Sequence, residues 1–472
     1  MSKFILPSSV LVVLLTTGCT VGPNYHRPAI QTPNSFRSPS PLPSSHASSL
    51  GDLKWWEVFK DEQLQQLERS ALVQNYDLRD AVARVEAARA NLGITRSEQF
   101  PNFAAGADIS TIRVSRDGQT PLPRALVPSQ NRTFGGATLN LLSFEVDIWG
   151  RLRRATEAAR ANLLSAEETR KAVVTTLVSE VATSYFSLRE LDYQLEISRR
   201  TLATRQASLD LIRTRQTGGV ATLLDLRQGE QLVYTASETI PTLQQQIEQT
   251  ENQIHLLLGE NPAEVRRGLS LTEQPIPPEV PAGLPSALLE RRPDIRAAEQ
   301  NLVAANAQIG VAKAAYFPQI SLSGFLGGQG TQLSSLFAGP SSVWAFTPQV
   351  TQPILTAGRL KSNVRLTEAL EQSALIQYQK AIQTAFAEVS DALIAHQRVR
   401  ESRVQQELLV AALQDRTRLA YVRYRGGVDT LLNALDSDRD LFQAELTLSQ
   451  IRLNELVTVV QLYKALGGGW QQ

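Results

Sequence analysis

The side chain with the most pointed chemistry is the only thiol. Cys19 follows Lys3, an apolar run over residues 10–15, and then Thr16, Thr17 and Gly18. A basic start, a short hydrophobic stretch and a small-residue cleavage site make residues 1–18 an export signal. A cysteine directly after such a site is placed to receive lipid once the signal is removed, so Cys19 is read as a lipidation residue. As the single cysteine of 472 residues, it also excludes internal disulfides and cysteine-based metal clusters. The four histidines, His26, His46, His255 and His396, lie far apart with no metal-ligand spacing among them. Neither a glycine-rich phosphate loop nor a nucleophile elbow is present. No catalytic constellation can be assembled, and the expectation is a protein that is not an enzyme and needs no cofactor or metal. With 47 Lys+Arg against 46 Asp+Glu and no basic cluster, nucleic acid is not expected as a partner.

The elements that carry these residues come in two copies. Gly150-Arg151-Leu152 recurs as Gly358-Arg359-Leu360, Gly218-Gly219-Val220 as Gly426-Gly427-Val428, and Leu258-Gly259 as Leu466-Gly467, all offset by 208. A second block repeats at an offset of 217, matching Asp77 with Asp294, Gly93 with Gly310 and Phe100-Pro101 with Phe317-Pro318. The difference, 217 − 208 = 9, gives the first copy nine extra residues, placed in the polar stretch 115–132 as a longer exposed loop. The chain therefore divides into a signal (1–18), an N-terminal segment with a Ser/Pro-rich linker (19–61), a first repeat (62–259), a Pro-rich connection (260–285), a second repeat (286–467) and a tail (468–472).

Each copy contains a stretch without proline or glycine, 152–217 and 360–425. As one helix, each would run roughly 90–100 Å at ~1.5 Å per residue, longer than the core of a compact domain. In the second copy Ala374, Tyr378, Ala381, Ala385, Val389, Ala392, His396 and Val399 form a near-heptad seam, widened by Leu375, Ile382, Phe386 and Leu393. The Gly-Gly-Val sites turn the chain, Thr222 and Thr430 are candidate caps, and return helices run to Leu258 and Leu466 with a kink expected at Pro241. Shorter helices are expected over 62–98 and 286–316.

Between helices the apolar period falls to two, the mark of strands. Candidates are 103–114, 142–149 with a bulge near Leu141, 320–326, and 344–351. One face of these strands is apolar. A sheet facing lipid cannot leave an edge unpaired, yet four strands are too few to close a membrane barrel. Several chains must share one barrel; three would supply twelve strands and leave room for an aqueous pore. Phe100, Phe134, Trp149, Tyr316, Phe317, Phe337 and Trp344 lie near strand ends, where an aromatic girdle belongs.

The sequence resembles the TolC-like outer membrane factors, in particular the NodT-type efflux lipoproteins. The resemblance is carried by Cys19-Thr20-Val21-Gly22-Pro23-Asn24-Tyr25, Trp55-Trp56, Phe144-Glu145-Val146-Asp147-Ile148-Trp149-Gly150-Arg151, Thr356-Ala357-Gly358-Arg359 and the closing Tyr463-Lys464-Ala465-Leu466-Gly467. It implies a mostly α protein with a small β part, a homotrimer whose duplicated helical hairpins form an α-barrel tunnel below a shared twelve-stranded transmembrane β-barrel. It also implies an equatorial collar that includes 275–285, and sorting of the lipidated chain to the outer membrane. The implied activity is that of the passive exit duct of a tripartite efflux pump, with a periplasmic adaptor and a proton-driven inner-membrane transporter as partners.

By motif match to that family, Tyr424, Asp436 and Arg439 fall at positions that gate the periplasmic end, with Asp225 as the first-copy partner. Three Asp436 carboxylates in a ring would repel one another and attract cations. The bland alternative is a solvated helix face, since Asp436-Ser437-Asp438-Arg439-Asp440 is ordinary surface composition. The hairpin tips Gly218, Gly219, Val220 and Gly426, Gly427, Val428 are the expected docking points for the adaptor. Rival functions are the outer-membrane duct of a type I protein secretion system, and a non-conducting coiled-coil tether of the envelope.

Overall fold

The computed structural model describes residues 20–33, 35–38, 50–113, 131–275 and 285–470. The export signal, Cys19, most of the 115–132 loop and the centre of the 275–285 connection lie outside the described residues. In chain order the main elements are α1 (Glu62–Gln74), α2 (Tyr76–Ser97), β1 (Phe103–Arg113), β2 (Asn131–Glu145), α3 (Arg151–Thr217), α4 (Leu223–Leu258), α5 (Pro293–Ala314), β3 (Gln319–Gly330), β4 (Ser342–Thr351), α6 (Arg359–Arg425) and α7 (Leu431–Ala465). Among the described residues the fold is mostly helical with four antiparallel strands, and α3 and α6 are each 67 residues long, as the uninterrupted stretches predict. The chain divides into two compact units.

The first unit holds 1–28, 85–165 and 298–378, and its centre is a sheet of order β1-β2-β3-β4. Pairing places Ala105, Leu139, Leu326 and Trp344 in one row, and Phe103, Leu141, Gly324 and Phe346 in the next. The opposite face carries Asn140, Thr138, Asp108, Ser321, Ser323, Thr347 and Gln349, because alternate residues of a strand point to opposite sides. The expected bulge is present: the β2–β3 register shifts between Leu141 and Phe144.

The strand expected over 142–149 stops at Glu145. Val146 adds one last rung by donating its N–H to the Ile320 carbonyl at 2.9 Å. After it, the alternating acids serve the next helix instead of a sheet face. Glu145 takes both ends of the Arg151 guanidinium at 2.9 and 2.6 Å, and Asp147 accepts the Arg153 N–H at 2.9 Å. Asp147 thereby satisfies an amide in the first turn of α3 that has no partner within the helix. The Trp149 indole donates to the Pro318 carbonyl at 2.8 Å and stacks on Phe317 with centroids 4.6 Å apart.

In the same unit, Thr20–Arg27 forms an extended strap. Val21 donates to the Trp149 carbonyl at 3.0 Å, while Arg154 reaches the Val21 carbonyl at 3.3 Å and the Asn24 amide oxygen at 2.7 Å. Gly22 has φ +99°, and a Cβ there would lie 2.4 Å from the Gly310 Cα, so the two glycines permit backbone-on-backbone contact. Glu299 closes the strap by accepting from the Tyr25 hydroxyl at 3.2 Å and pairing with Arg27 at 2.5 Å.

The second unit holds 29–84, 166–297 and 379–472. Its largest core packs Leu64 and Leu67 of α1, Val181, Tyr185 and Leu188 of α3, Val389 of α6, and Val459, Val460 and Tyr463 of α7. Asp61 ties this core to the connection between repeats. It caps α1 through the Gln63 and Leu64 amides and accepts from the Tyr185 hydroxyl at 3.0 Å, the Leu269 amide at 2.9 Å and the Gln274 side chain at 2.8 Å.

The helices expected over 62–98 and 286–316 are each broken, and at equivalent places. Asn75 leaves helical geometry with ψ 132°, donates to the Leu257 carbonyl at 2.9 Å and accepts the Leu78 amide at 2.9 Å. In the second copy Arg292 is extended ahead of Pro293, as a residue before proline prefers, and donates to the Ala465 carbonyl at 3.1 Å. The donors are 292 − 75 = 217 apart and the acceptors 465 − 257 = 208 apart, so the two repeat offsets meet in one conserved geometry. Helix α4 continues through Pro241 in a single run.

Candidate gate and docking tips

The two Gly-Gly-Val sites, both in the second unit, terminate α3 and α6 in the same way. Gly219 and Gly427 have φ +73° and +75°, and the Val220 and Val428 amides donate back to the Arg215 and Arg423 carbonyls at 2.8 and 3.1 Å. This six-to-one bond closes a Schellman turn, which a left-handed glycine allows without strain. Val220 and Val428 are left 74% and 67% exposed. Leu223, Leu224 and Leu432 at the start of the return helices are exposed as well.

The restart of the return helices differs between copies. Thr222 accepts the Asp225 amide at 3.1 Å while Asp225 accepts the Thr222 amide at 2.7 Å, a reciprocal capping box. Asp225, expected to be a gate partner, thus has its carboxylate engaged within its own turn. Thr430 precedes α7, but its side chain caps nothing, contrary to expectation. Instead Asp429 braces the turn just before the helix, accepting from the Thr430 amide at 2.8 Å, the Asn433 amide group at 2.7 Å and Arg423 at 3.0 Å. The Arg423 contact is the main cause holding the Asp429 carboxyl below its usual range, followed by the Asn433 and backbone bonds.

Tyr424 is buried beside Ile212, Leu431, Ala434 and Leu435, with the Arg215 guanidinium 4.7 Å above its ring. A groove of about 420 Å³ lies between α3 and α6 here, lined by Ala207, Leu211, Tyr421 and Tyr424 among others. Asp436 and Arg439 pair with each other at 3.2 Å along one helix face, 38% and 62% exposed, and Arg439 also reaches Asp440 at 3.3 Å. Tyr424 therefore faces the first hairpin, whereas the Asp436–Arg439 pair closes on α7 alone. His396, on the α6 seam, bonds Thr458 at 3.1 Å; burial, and secondarily Arg400, depress its pKa and favour the neutral ring.

One feature of this region escaped the sequence reading. Arg205 of α3 pairs with Asp438 of α7 at 2.6 Å, with side chains 3% and 8% exposed. The signal was present: Leu431, Leu435, Asp438 and Phe442 follow helical spacing along one buried stripe. The solvated appearance of Asp436-Ser437-Asp438-Arg439-Asp440 concealed it. Among the described residues there is no group of three or more potential ligands placed for a metal, and no helix long and apolar enough to cross a membrane.

This geometry has close relatives. The model of the outer membrane efflux protein family matches residues 67–260 and 284–468, one segment for each repeat. The toluene efflux pump outer membrane protein TtgC of Pseudomonas putida is 38% identical over 100% of this chain and 97% of its own. The cation efflux system protein CusC of Escherichia coli is 35% identical over 98% of both. The structure of the open state of the Neisseria gonorrhoeae MtrE outer membrane channel superposes with a TM-score of 0.85 at 31% identity, covering 96% of this chain and 99% of that one. Two passes of helix, strand pair and long hairpin, matched along their whole length, place this chain in the outer membrane efflux protein family.

Proposed function

We propose that the chain is one third of a homotrimeric exit duct, the outer-membrane channel of a tripartite pump that expels small molecules. The observation that carries this reading is the four-stranded sheet: apolar on one face, mostly polar on the other, and with β1 and β4 each at an edge among the described residues. In hydrocarbon an unpaired edge is costly, and β1 of one copy against β4 of the next removes it. Three copies give twelve strands around a polar lumen. A lipid on Cys19 anchors the assembly in the outer membrane.

The exposed tips at Gly218, Gly219, Val220 and Gly426, Gly427, Val428 dock a periplasmic adaptor, which couples the duct to a proton-driven inner-membrane transporter. Tyr424, Asp436 and Arg439 gate the periplasmic end. A duct of this kind does not choose its cargo; relatives named for toluene and for cations fit that view. The tip assignment is tested at Gly427, where an added Cβ would meet nothing within 4 Å. Its left-handed backbone makes a side chain cost about 1–2 kcal/mol, too little to unfold a large core. Gly427→Glu is expected to abolish resistance to pump substrates while the protein stays in the outer membrane at normal levels. Retained resistance would remove the tip from the docking surface.

A further inference from the structure

We infer that the Arg205–Asp438 ion pair is the latch that fastens the second hairpin to the first beside the gate, with Arg205 as its positioning residue. The inference deepens the gate reading and rests on it. Asp438 lies two residues from Asp436, and Arg205 of α3 contacts both return helices, α4 and α7. Its Nε donates to the Asp438 Oδ2 at 2.6 Å, its Nη1 donates to the Leu232 carbonyl of α4 at 3.0 Å, and its guanidinium lies 4.9 Å from the Phe442 ring of α7. From α6, Tyr421 is hydrogen-bonded to Ser208 of α3 and sits in the fields of Asp438 and Arg205, while Thr417 donates to the Ser437 carbonyl at 3.0 Å.

Magnitudes single out this pair among the three candidate links. Asp436–Arg439 is exposed and contained in α7, so it holds no helix to another and is screened by solvent. The Arg215–Tyr424 contact does cross from α3 to α6, but a cation over an aromatic ring is a weaker link than a buried ion pair. Removing one partner of a buried ion pair is strongly destabilising, because the other charge stays behind in a medium that cannot solvate it. Near the tips, movement of α7 away from α3 must break the Arg205–Asp438 pair; farther along, Arg200–Glu445 at 2.8 Å and Ser449–Glu190 at 3.1 Å join the same two helices.

The latch occurs once per chain. At the offset of 208, Arg205 corresponds to Leu413 and Asp438 to Glu230. Leu413 offers no charge, and Glu230 is already paired with Arg227 at 2.7 Å and Arg213 at 3.9 Å. A trimer would carry three such latches.

The test compares Arg205→Met, Asp438→Asn, Arg205→Lys and the double variant Asp436→Ala/Arg439→Ala as full-length protein reconstituted in planar bilayers. Single-channel conductance is read alongside thermal unfolding. The latch predicts a severalfold higher conductance for Arg205→Met and Asp438→Asn, and near-native conductance for Arg205→Lys, which keeps the charge opposite Asp438. Asp438→Asn preserves shape, so it decides the matter if Arg205→Met fails to assemble. Lower thermal stability with unchanged conductance in both single variants means the pair is merely structural and overturns the latch. If only the double variant raises conductance, the gate stands without the latch. If only the Arg205 and Asp438 variants do, the closed end is held at the latch and the Asp436–Arg439 assignment falls.

Discussion

The first and second hairpins are built on one skeleton and fastened by different chemistry. Both end their long helix on a left-handed glycine, both turn through an exposed valine, and both receive a buried side chain on a carbonyl near the end of the return helix. Yet that side chain is Asn75 in one copy and Arg292 in the other. The acid that restarts the return helix sits inside the helix as Asp225 in the first and before it as Asp429 in the second, where Asn433 occupies the position equivalent to Asp225. Tyr424, Asp436 and Arg439 likewise replace Gln216, Gln228 and Gln231. Backbone geometry, dictated by glycines and by carbonyls left without helical partners, is what duplication preserved; charge is what the copies redistributed.

The strongest way to break this comparison is at the paired helix breaks. Arg292 also holds Glu388 at 2.7 Å and Asp294 at 2.7 Å, whereas Asn75 makes only neutral bonds. Arg292→Met should cost about 2–3 kcal/mol and Asn75→Ala about 1–2 kcal/mol, since bonds to charged groups are worth roughly twice neutral ones. Denaturant midpoints of the solubilised protein check the order, and equal losses would mean the second break is no better fastened than the first.

A smaller effect separates the caps. Thr222→Ala should cost about 1 kcal/mol and speed hydrogen exchange at the Asp225 amide, while Thr430→Ala should stay within about 0.5 kcal/mol because its side chain caps nothing. Exchange that accelerates equally at both tips would erase the distinction.

The third prediction is the mildest and concerns a residue of the first copy only. Both carboxylate oxygens of Glu68 are buried without a hydrogen-bond partner, and desolvation pushes its pKa well above the usual carboxylate range, with Arg69 opposing weakly. Between the unfolded pKa and the higher folded one, the native state holds a proton that the unfolded state has released. Stability therefore falls as pH rises through that window. Glu68→Gln should flatten this slope and raise the melting temperature at neutral pH; an unchanged pH profile would show that Glu68 is not the source.

Most of the architecture was legible because it is written in periodicity and spacing. The offset of 208 located both hairpins to within a residue or two, and the phase flip near Leu141 marked the bulge. What stayed hidden depends on partners distant in sequence. Asn75 fits a helix until the Leu257 carbonyl is known to lie beside it. Glu145 and Asp147 look like the polar face of a strand until Arg151 and Arg153 claim them. Arg205, in a surface-like stretch of α3, gains its role only once Asp438 is seen to be buried opposite.

The strap at the N-terminus has one more consequence. Val21, bonded to the Trp149 carbonyl, is only two residues beyond Cys19, and two extended residues span about 7 Å. Acyl chains attached to Cys19 would thus be tethered within that distance of the point where sheet gives way to helix. The anchor is then more than a leash. On the proposed reading of Cys19 as lipidated, it would work as a depth gauge, registering the end of the sheet against the leaflet that receives the lipid.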